Sequence, residues 1–211
     1  LKSGAKLDSA MTDDIKTRLA HLSILKNQTE EGVDQLLGML NNSQDKDFRS
    51  RIYTELGHTY LRSGEFVKSK RMFDIALTEK GDNEEAIIGK ARAYKRLGED
   101  NRAYDLYDYF LKYYGNFSSY ASDVRKAYVE QAYVSGYESY RRGSYWSSIE
   151  FFRRVIQNFP GDSRVEGAMY WTGECYYSLK QYERAISYFD RVLTNYNYTK
   201  DQDARIKKGH S

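Results

Sequence analysis

The chain has 211 residues, 40% hydrophobic and 30% charged, with one proline and 15 glycines; that composition excludes a disordered or collagen-like chain and favours helices. The net charge of +3 is the small difference between 33 basic and 30 acidic residues, without the large basic excess usual in a nucleic-acid binder. The lone Cys175 excludes an intrachain disulfide framework, and no run of about 18 apolar residues predicts a membrane-spanning helix.

In chain order, residues 1–10 are expected to be disordered. Residues 11–49 read as a helical capping pair or degenerate repeat, with helix starts at Thr12-Asp13-Asp14 and Thr29-Glu30-Glu31. Residues 50–117 then hold two repeats. The first contains Tyr53, Leu56-Gly57 and Tyr60, the spacing aromatic-x2-Leu-Gly-x2-Tyr of the first helix of a tetratricopeptide repeat (TPR). With repeats starting at Ser50, Glu84, Val129 and Glu166, position 8 is always small: Gly57, Ala91, Gly136 and Gly173. Position 20 is also small (Ser69, Ala103, Ser148, Ala185), and position 24 is aromatic (Phe73, Tyr107, Phe152, Phe189). Two antiparallel helices joined by a short turn approach closely only where neither carries bulk, and the aromatics then fill the space between pairs. Ser63-Gly64, Leu97-Gly98 and Arg142-Gly143 fall at the turns between helices, where glycine takes the left-handed cap.

Residues 118–128 interrupt the period. They read as an insertion or as an extension of the next helix, which would start at Ser122-Asp123. Residues 129–199 hold the third and fourth repeats. Residues 200–211 look like the start of a fifth repeat cut short in its first helix, so the chain is expected to be a piece of a longer protein. The resemblance to TPR proteins implies an all-α, right-handed solenoid of antiparallel helix pairs with an N-terminal helical cap.

A narrower resemblance lies between Tyr137 and Ser211. Tyr140-Arg-Arg-Gly-Ser-Tyr145, Ile149-Glu-Phe-Phe-Arg-Arg-Val-Ile-Gln-Asn-Phe-Pro160, Ala168-Met-Tyr-Trp-Thr-Gly-Glu174 and the later Asp203-Ala204 and Gly209 are similar to the C-terminal repeats of the Tol–Pal-associated YbgF/CpoB family and related bacterial envelope TPR lipoproteins. That resemblance implies a periplasmic or cell-envelope location, a partner in envelope assembly and no catalysis.

In TPR arrays the first helices line a groove through repeat positions 2, 5, 9, 12 and 13. The first repeat places Arg51, Thr54, His58, Leu61 and Arg62 there, and the second Glu85, Ile88, Arg92, Lys95 and Arg96. The third offers Glu130, Tyr133, Tyr137, Tyr140 and Arg141, and the fourth Gly167, Tyr170, Glu174, Tyr177 and Ser178. The expected groove is basic in one half and tyrosine-lined in the other. Tyrosine and arginine are enriched at binding hot spots because each joins broad contact area to a polar end. A protein or peptide segment with acidic and aromatic or apolar residues is the expected partner. Solvated arginines and tyrosines packed between repeats are the competing account of the same residues.

The lysine and asparagine with which co-chaperone TPR domains clamp a terminal carboxylate at positions 5 and 9 are replaced by Thr54 and His58. No metalloprotease, paired-cysteine or phosphate-loop motif occurs, and His21, His58 and His210 are far apart. Cys175 reads as a small buried residue. No cofactor, metal or catalytic activity is expected. A cytoplasmic regulator binding a peptide or RNA is the alternative to an envelope scaffold, with nucleic acid the weaker partner.

Overall fold

The computed structural model describes residues 14, 16–21, 23 and 29–195. The expected disorder of residues 1–10 and the fifth repeat at 200–211 lie outside them. Among the described residues every regular element is a helix. After helical residues at 16–21 come α1 (Thr29–Asn41), α2 (Lys46–Arg62), α3 (Phe66–Glu79), α4 (Glu84–Arg96) and α5 (Asp100–Tyr114). They are followed by α6 (Ala121–Arg141), α7 (Tyr145–Asn158), α8 (Arg164–Ser178) and α9 (Tyr182–Asn195). The chain divides into two compact units, Leu1–Ala121 and Ser122–Ser211.

In the first unit, the Asp45 carboxylate accepts hydrogen bonds from the Asp47 and Phe48 amides and so starts α2. Leu36 and Leu40 of α1 pack against Phe48, Ile52 and Leu56 of α2. The close approach of α2 and α3 is made where the sequence has small residues. The Ser69 hydroxyl donates to the Gly57 carbonyl at 2.8 Å, and Phe73 lies against Gly57 and Gly89. Asn83 caps α4 through the Ala86 amide and donates to Ser50 Oγ (2.8 Å) and Thr54 Oγ1 (3.0 Å). Ser50 in turn donates to the Ala76 carbonyl. One buried polar network thus ties α2, α3 and α4, with each member satisfied by another. Ala91 of α4 and Ala103, Tyr104, Tyr107 and Phe110 of α5 are all buried.

In the second unit α6 has 21 residues, against 17 in α2 and 13 in α4, and its extra turns take up most of residues 118–128. The helix-pair contact repeats that of the first unit. Ser148 donates to the Gly136 carbonyl at 2.8 Å, and Phe152 lies against Gly136. Phe189 lies against Gly173 in the same way, and Cys175 donates to Ser148 Oγ at 3.2 Å.

All four helix pairs turn alike. Residue 15 of each repeat has positive φ: Gly64 (82°), Gly98 (76°), Gly143 (76°) and Lys180 (59°). The next amide bonds back to the carbonyl five residues earlier: Glu65 to Tyr60, Glu99 to Tyr94, Ser144 to Ser139 and Gln181 to Tyr176. This is the Schellman ending, which satisfies the last carbonyls of a helix and reverses the chain. In the fourth repeat a lysine occupies the slot that glycine takes in the others.

Candidate functional site

The second unit brings together an aromatic face from the first helices of its two repeats, α6 and α8. The Trp171 ring centroid lies 5.0 Å from that of Tyr137, 5.1 Å from Tyr140 and 5.2 Å from Tyr170. Tyr140 also packs on Tyr145 at 5.7 Å, and its hydroxyl donates to Glu174 Oε2 at a long 3.5 Å. Burial pushes up the pKa of Tyr133, an effect that the neighbouring Trp171 side chain partly opposes. Burial, and then the Glu174 charge, raise that of Tyr140 as well. Both phenols therefore stay protonated donors at neutral pH. Tyr137 is 40% exposed, and Tyr140 and Trp171 are half-buried. Such a surface offers several ring faces with hydroxyls at their edges, which suits contact with another chain.

Trp171 was not among the residues expected from repeat positions, because it stands at position 6. Its signal was the Tyr170-Trp171-Thr172-Gly173-Glu174 motif.

Other expected groove residues are placed differently. Tyr170 is only 5% exposed and packs on Phe189 at 6.0 Å. Glu174 is 6% exposed. Position 5 as a whole turns inward: Thr54 and Ile88 are buried like Tyr170, and the half-buried Tyr133 places its hydroxyl against Gly167. The reason is the side-by-side packing of successive first helices. Thr54 meets the cap residue Asn83 of the next repeat, and Tyr133 meets the start of α8. Tyr177 is half-buried beside Tyr182 at 5.8 Å, and Arg141 is exposed.

In the first unit Arg51, Arg62, Arg92 and Arg96 are exposed. Arg96 lies over the Phe66 ring at 4.6 Å, Arg51 over Phe48 at 5.8 Å, and Arg62 donates to Thr59 Oγ1 at 3.3 Å. Lys95 is engaged within its own repeat, 2.9 Å from Asp100 Oδ1 and 5.0 Å from the Tyr104 ring. His58 meets Phe73 edge-on at 5.0 Å. Its Nε2 is 3.3 Å from Glu85 Oε1, within ion-pair range but without the alignment of a good hydrogen bond. His58 first, then Arg92, hold the Glu85 carboxyl below the usual carboxylate range against the opposing effect of burial. A cleft of about 510 Å³ beside these groups is lined by Arg51, Glu55, Glu85 and His21 among others, with His21 Nδ1 3.2 Å from Glu55 Oε2. This half is of mixed sign, where a basic surface was expected.

Among the described residues no group of three His, Cys, Asp or Glu side chains is placed to hold a metal ion, and no helix is long and apolar enough to cross a membrane. Cys175 is fully buried, and burial pushes its thiol up to about 11.

A tetratricopeptide-repeat family model matches residues 167–196. No curated protein sequence matches the chain. Among solved structures, a TPR repeats protein from Bacteroides fragilis is similar over 97% of this chain and 98% of its own, with a TM-score of 0.62 at 14% identity. The MamA protein is similar over 93% of this chain and 96% of its own (TM-score 0.52, 17% identity). YrrB, described as a TPR protein with an unusual peptide-binding site, covers 92% of this chain and 89% of its own (TM-score 0.51, 17% identity). The fold is thus the all-helical TPR solenoid that the repeat pattern predicts.

Proposed function

We propose that this chain is a non-catalytic docking scaffold, which holds a segment of another protein against the aromatic face of α6 and α8. The observation that carries this reading is the Tyr137–Trp171–Tyr140 cluster, in which rings from two successive repeats meet and Tyr137 remains 40% exposed. A core needs no such exposed ring, whereas a contact surface uses it for area and for hydrogen bonding. The fold supports the same reading, because stacked repeats offer extended surfaces for binding. The partner segment is one rich in apolar and aromatic residues. In the first unit the exposed Arg62, Arg92 and Arg96 favour acidic groups on a partner. We place the scaffold in a bacterial cell-envelope assembly, on the similarity of Tyr140–Glu174 to the YbgF/CpoB repeats.

A photo-crosslinking side chain at Tyr137, with a matched control at the exposed Arg153 on α7, tests the site in the organism that encodes the chain. Crosslinks to a discrete protein from Tyr137, absent from Arg153 and reduced by Tyr140→Ala, are expected. Equal crosslinking from both positions would remove the aromatic face as the site. Recovery of the native protein in the cytosolic fraction would overturn the envelope location.

A further inference from the structure

A second exposed aromatic surface lies in the first unit, at the end of α5. Tyr109 (43% exposed), Tyr113 (51%), Phe117 (73%) and Tyr120 (42%) all face solvent. Tyr109, Tyr113 and Phe117 are linked ring to ring by way of Tyr114, and the Tyr120 amide donates to Ser118 Oγ at 3.1 Å beside them. Tyr109 meets Tyr113 at 4.7 Å and Tyr114 at 6.3 Å, and Tyr114 meets Phe117 at 5.9 Å. A contiguous apolar patch of this kind marks an interaction site more often than isolated exposed rings do.

Its surroundings are acidic. The Ser118 hydroxyl donates to the Glu84 carboxylate, which fastens the patch to the start of α4. Glu84 and Glu85 lie there, next to the exposed Asp82. A cleft of about 560 Å³ opens between them and Tyr120. Its wall carries the carboxylates of Asp47, Asp82, Glu84 and Glu85 against two cations, Arg51 and Lys80. One of those cations, Lys80, is already 3.2 Å from Asp47. The local potential acts on the phenols: Glu85 first, then burial and Glu84, raise the Tyr120 pKa. A ring of the patch already carries a cation, with the Lys112 ammonium 5.1 Å from the Tyr113 centroid. Glu85 and Arg96 sit at opposite ends of α4, roughly 16 Å apart along its axis, so Arg96 lies away from this surface, while Arg51 lines the cleft and Arg92 acts on Glu85.

We infer that the Tyr109–Tyr113–Phe117–Tyr120 surface docks a basic, apolar segment of another protein. Lysine or arginine side chains of the segment enter the carboxylate-lined cleft and stack on ring faces, and its apolar side chains cover Phe117 and Tyr113. Charge selects this occupant. Carboxylates beside exposed rings repel acidic segments and anionic lipid headgroups, and they strengthen the attraction of a cation for a π face. The inference is independent of the aromatic face of the second unit.

The test is fluorescence anisotropy of the 211-residue chain with short labelled peptides alternating lysine with leucine, glutamate with leucine, or lysine with serine, alongside co-sedimentation with phosphatidylcholine/phosphatidylglycerol vesicles. The lysine–leucine peptide should bind best, and raising salt from about 50 to about 300 mM should weaken it several-fold. Phe117→Ser/Tyr113→Ser should weaken it about tenfold, and Asp82→Asn/Glu84→Gln by a several-fold factor. Arg153→Ala, at an exposed position of α7 outside both surfaces, should leave it unchanged. All four patch positions are solvent-facing, and unchanged helical circular dichroism checks that the variants fold. Equal binding of the glutamate–leucine peptide, indifference to the patch variants, or binding of vesicles in place of peptide would each overturn the inference.

Discussion

The ring of Phe73 and the α-carbon of Gly89 are so close that a β-carbon on residue 89 would stand 2.3 Å from Phe73 Cζ. A β-carbon on residue 57 would likewise stand 2.6 Å from Phe73 Cε1, so one side chain is clasped between the first helices of successive repeats. Phe73→Ala should cost about 3–5 kcal/mol by leaving a cavity. Gly89→Ala should cost about 1–3 kcal/mol by overpacking, and much of that loss should disappear in Gly89→Ala/Phe73→Leu. Urea titrations followed by circular dichroism measure all three. Additive losses in the double variant would show that the ring and the glycine do not share the contact.

Lys180 occupies the left-handed slot that Gly64, Gly98 and Gly143 fill in the other turns. A side chain with φ > 0 costs about 1–2 kcal/mol, partly offset by the flexibility that glycine adds to the unfolded chain. Lys180→Gly should therefore raise stability by about 0.5–1 kcal/mol, and Gly98→Ala should lower it by about 1 kcal/mol. Space around Gly98 is open, so a larger loss there would point to a cause other than backbone strain.

Ser69 and Ser148 occupy the same repeat position and donate to the carbonyls of Gly57 and Gly136, while Ala103 and Ala185 fill that position in the other repeats. The slot accepts a hydroxyl without requiring one. Ser148→Ala should cost only about 1 kcal/mol, the net worth of a hydrogen bond, whereas Ser148→Leu should prevent close approach of α6 and α7. Comparable unfolding midpoints for the two variants would contradict this account.

Glu85 and Asp74 titrate low in the folded chain. Glu85 is held down by His58 and Arg92. Asp74 is held down by Lys70 and Lys90, which together overcome the opposing effect of its burial. The unfolded chain binds more protons between the depressed and ordinary pKa values. The stabilisation is therefore complete above the ordinary carboxylate range, near pH 4, and is lost as pH falls through the lower folded values. Glu85→Gln and Asp74→Asn should each lower Tm at pH 7 and shrink the fall in Tm on acidification. A fall of native size in both variants would assign acid sensitivity to other groups.

The Cys175 thiol, raised to about 11 and fully buried, should not react with a disulfide reagent at pH 8 in the folded chain. It should react at once in denaturant. Rapid labelling of the native chain would show that the α7–α8 contact opens.

The amino-acid sequence by itself determined the repeats and their register. Positions 8 and 20 carry small residues because two helices of one pair approach closely there, position 24 carries the aromatic that packs on them, and this spacing is legible without any knowledge of neighbours. It determined three of the four turns for the same reason, since glycine announces a left-handed residue. The fourth turn was hidden, because the geometry of the helix pair forces Lys180 into a conformation its own chemistry disfavours. Only tertiary structure decided which first-helix residues face outward. Position 5 turns toward the following repeat, burying Thr54, Ile88 and Tyr170, and Trp171 at position 6 joins Tyr137 and Tyr140 across two helices. These outcomes depend on how one pair packs against the next, a relation between residues some 34 apart that no local pattern records. The sign of the first unit's surface was decided in the same way: the arginines are legible in the sequence, but the carboxylates that meet them come from other helices.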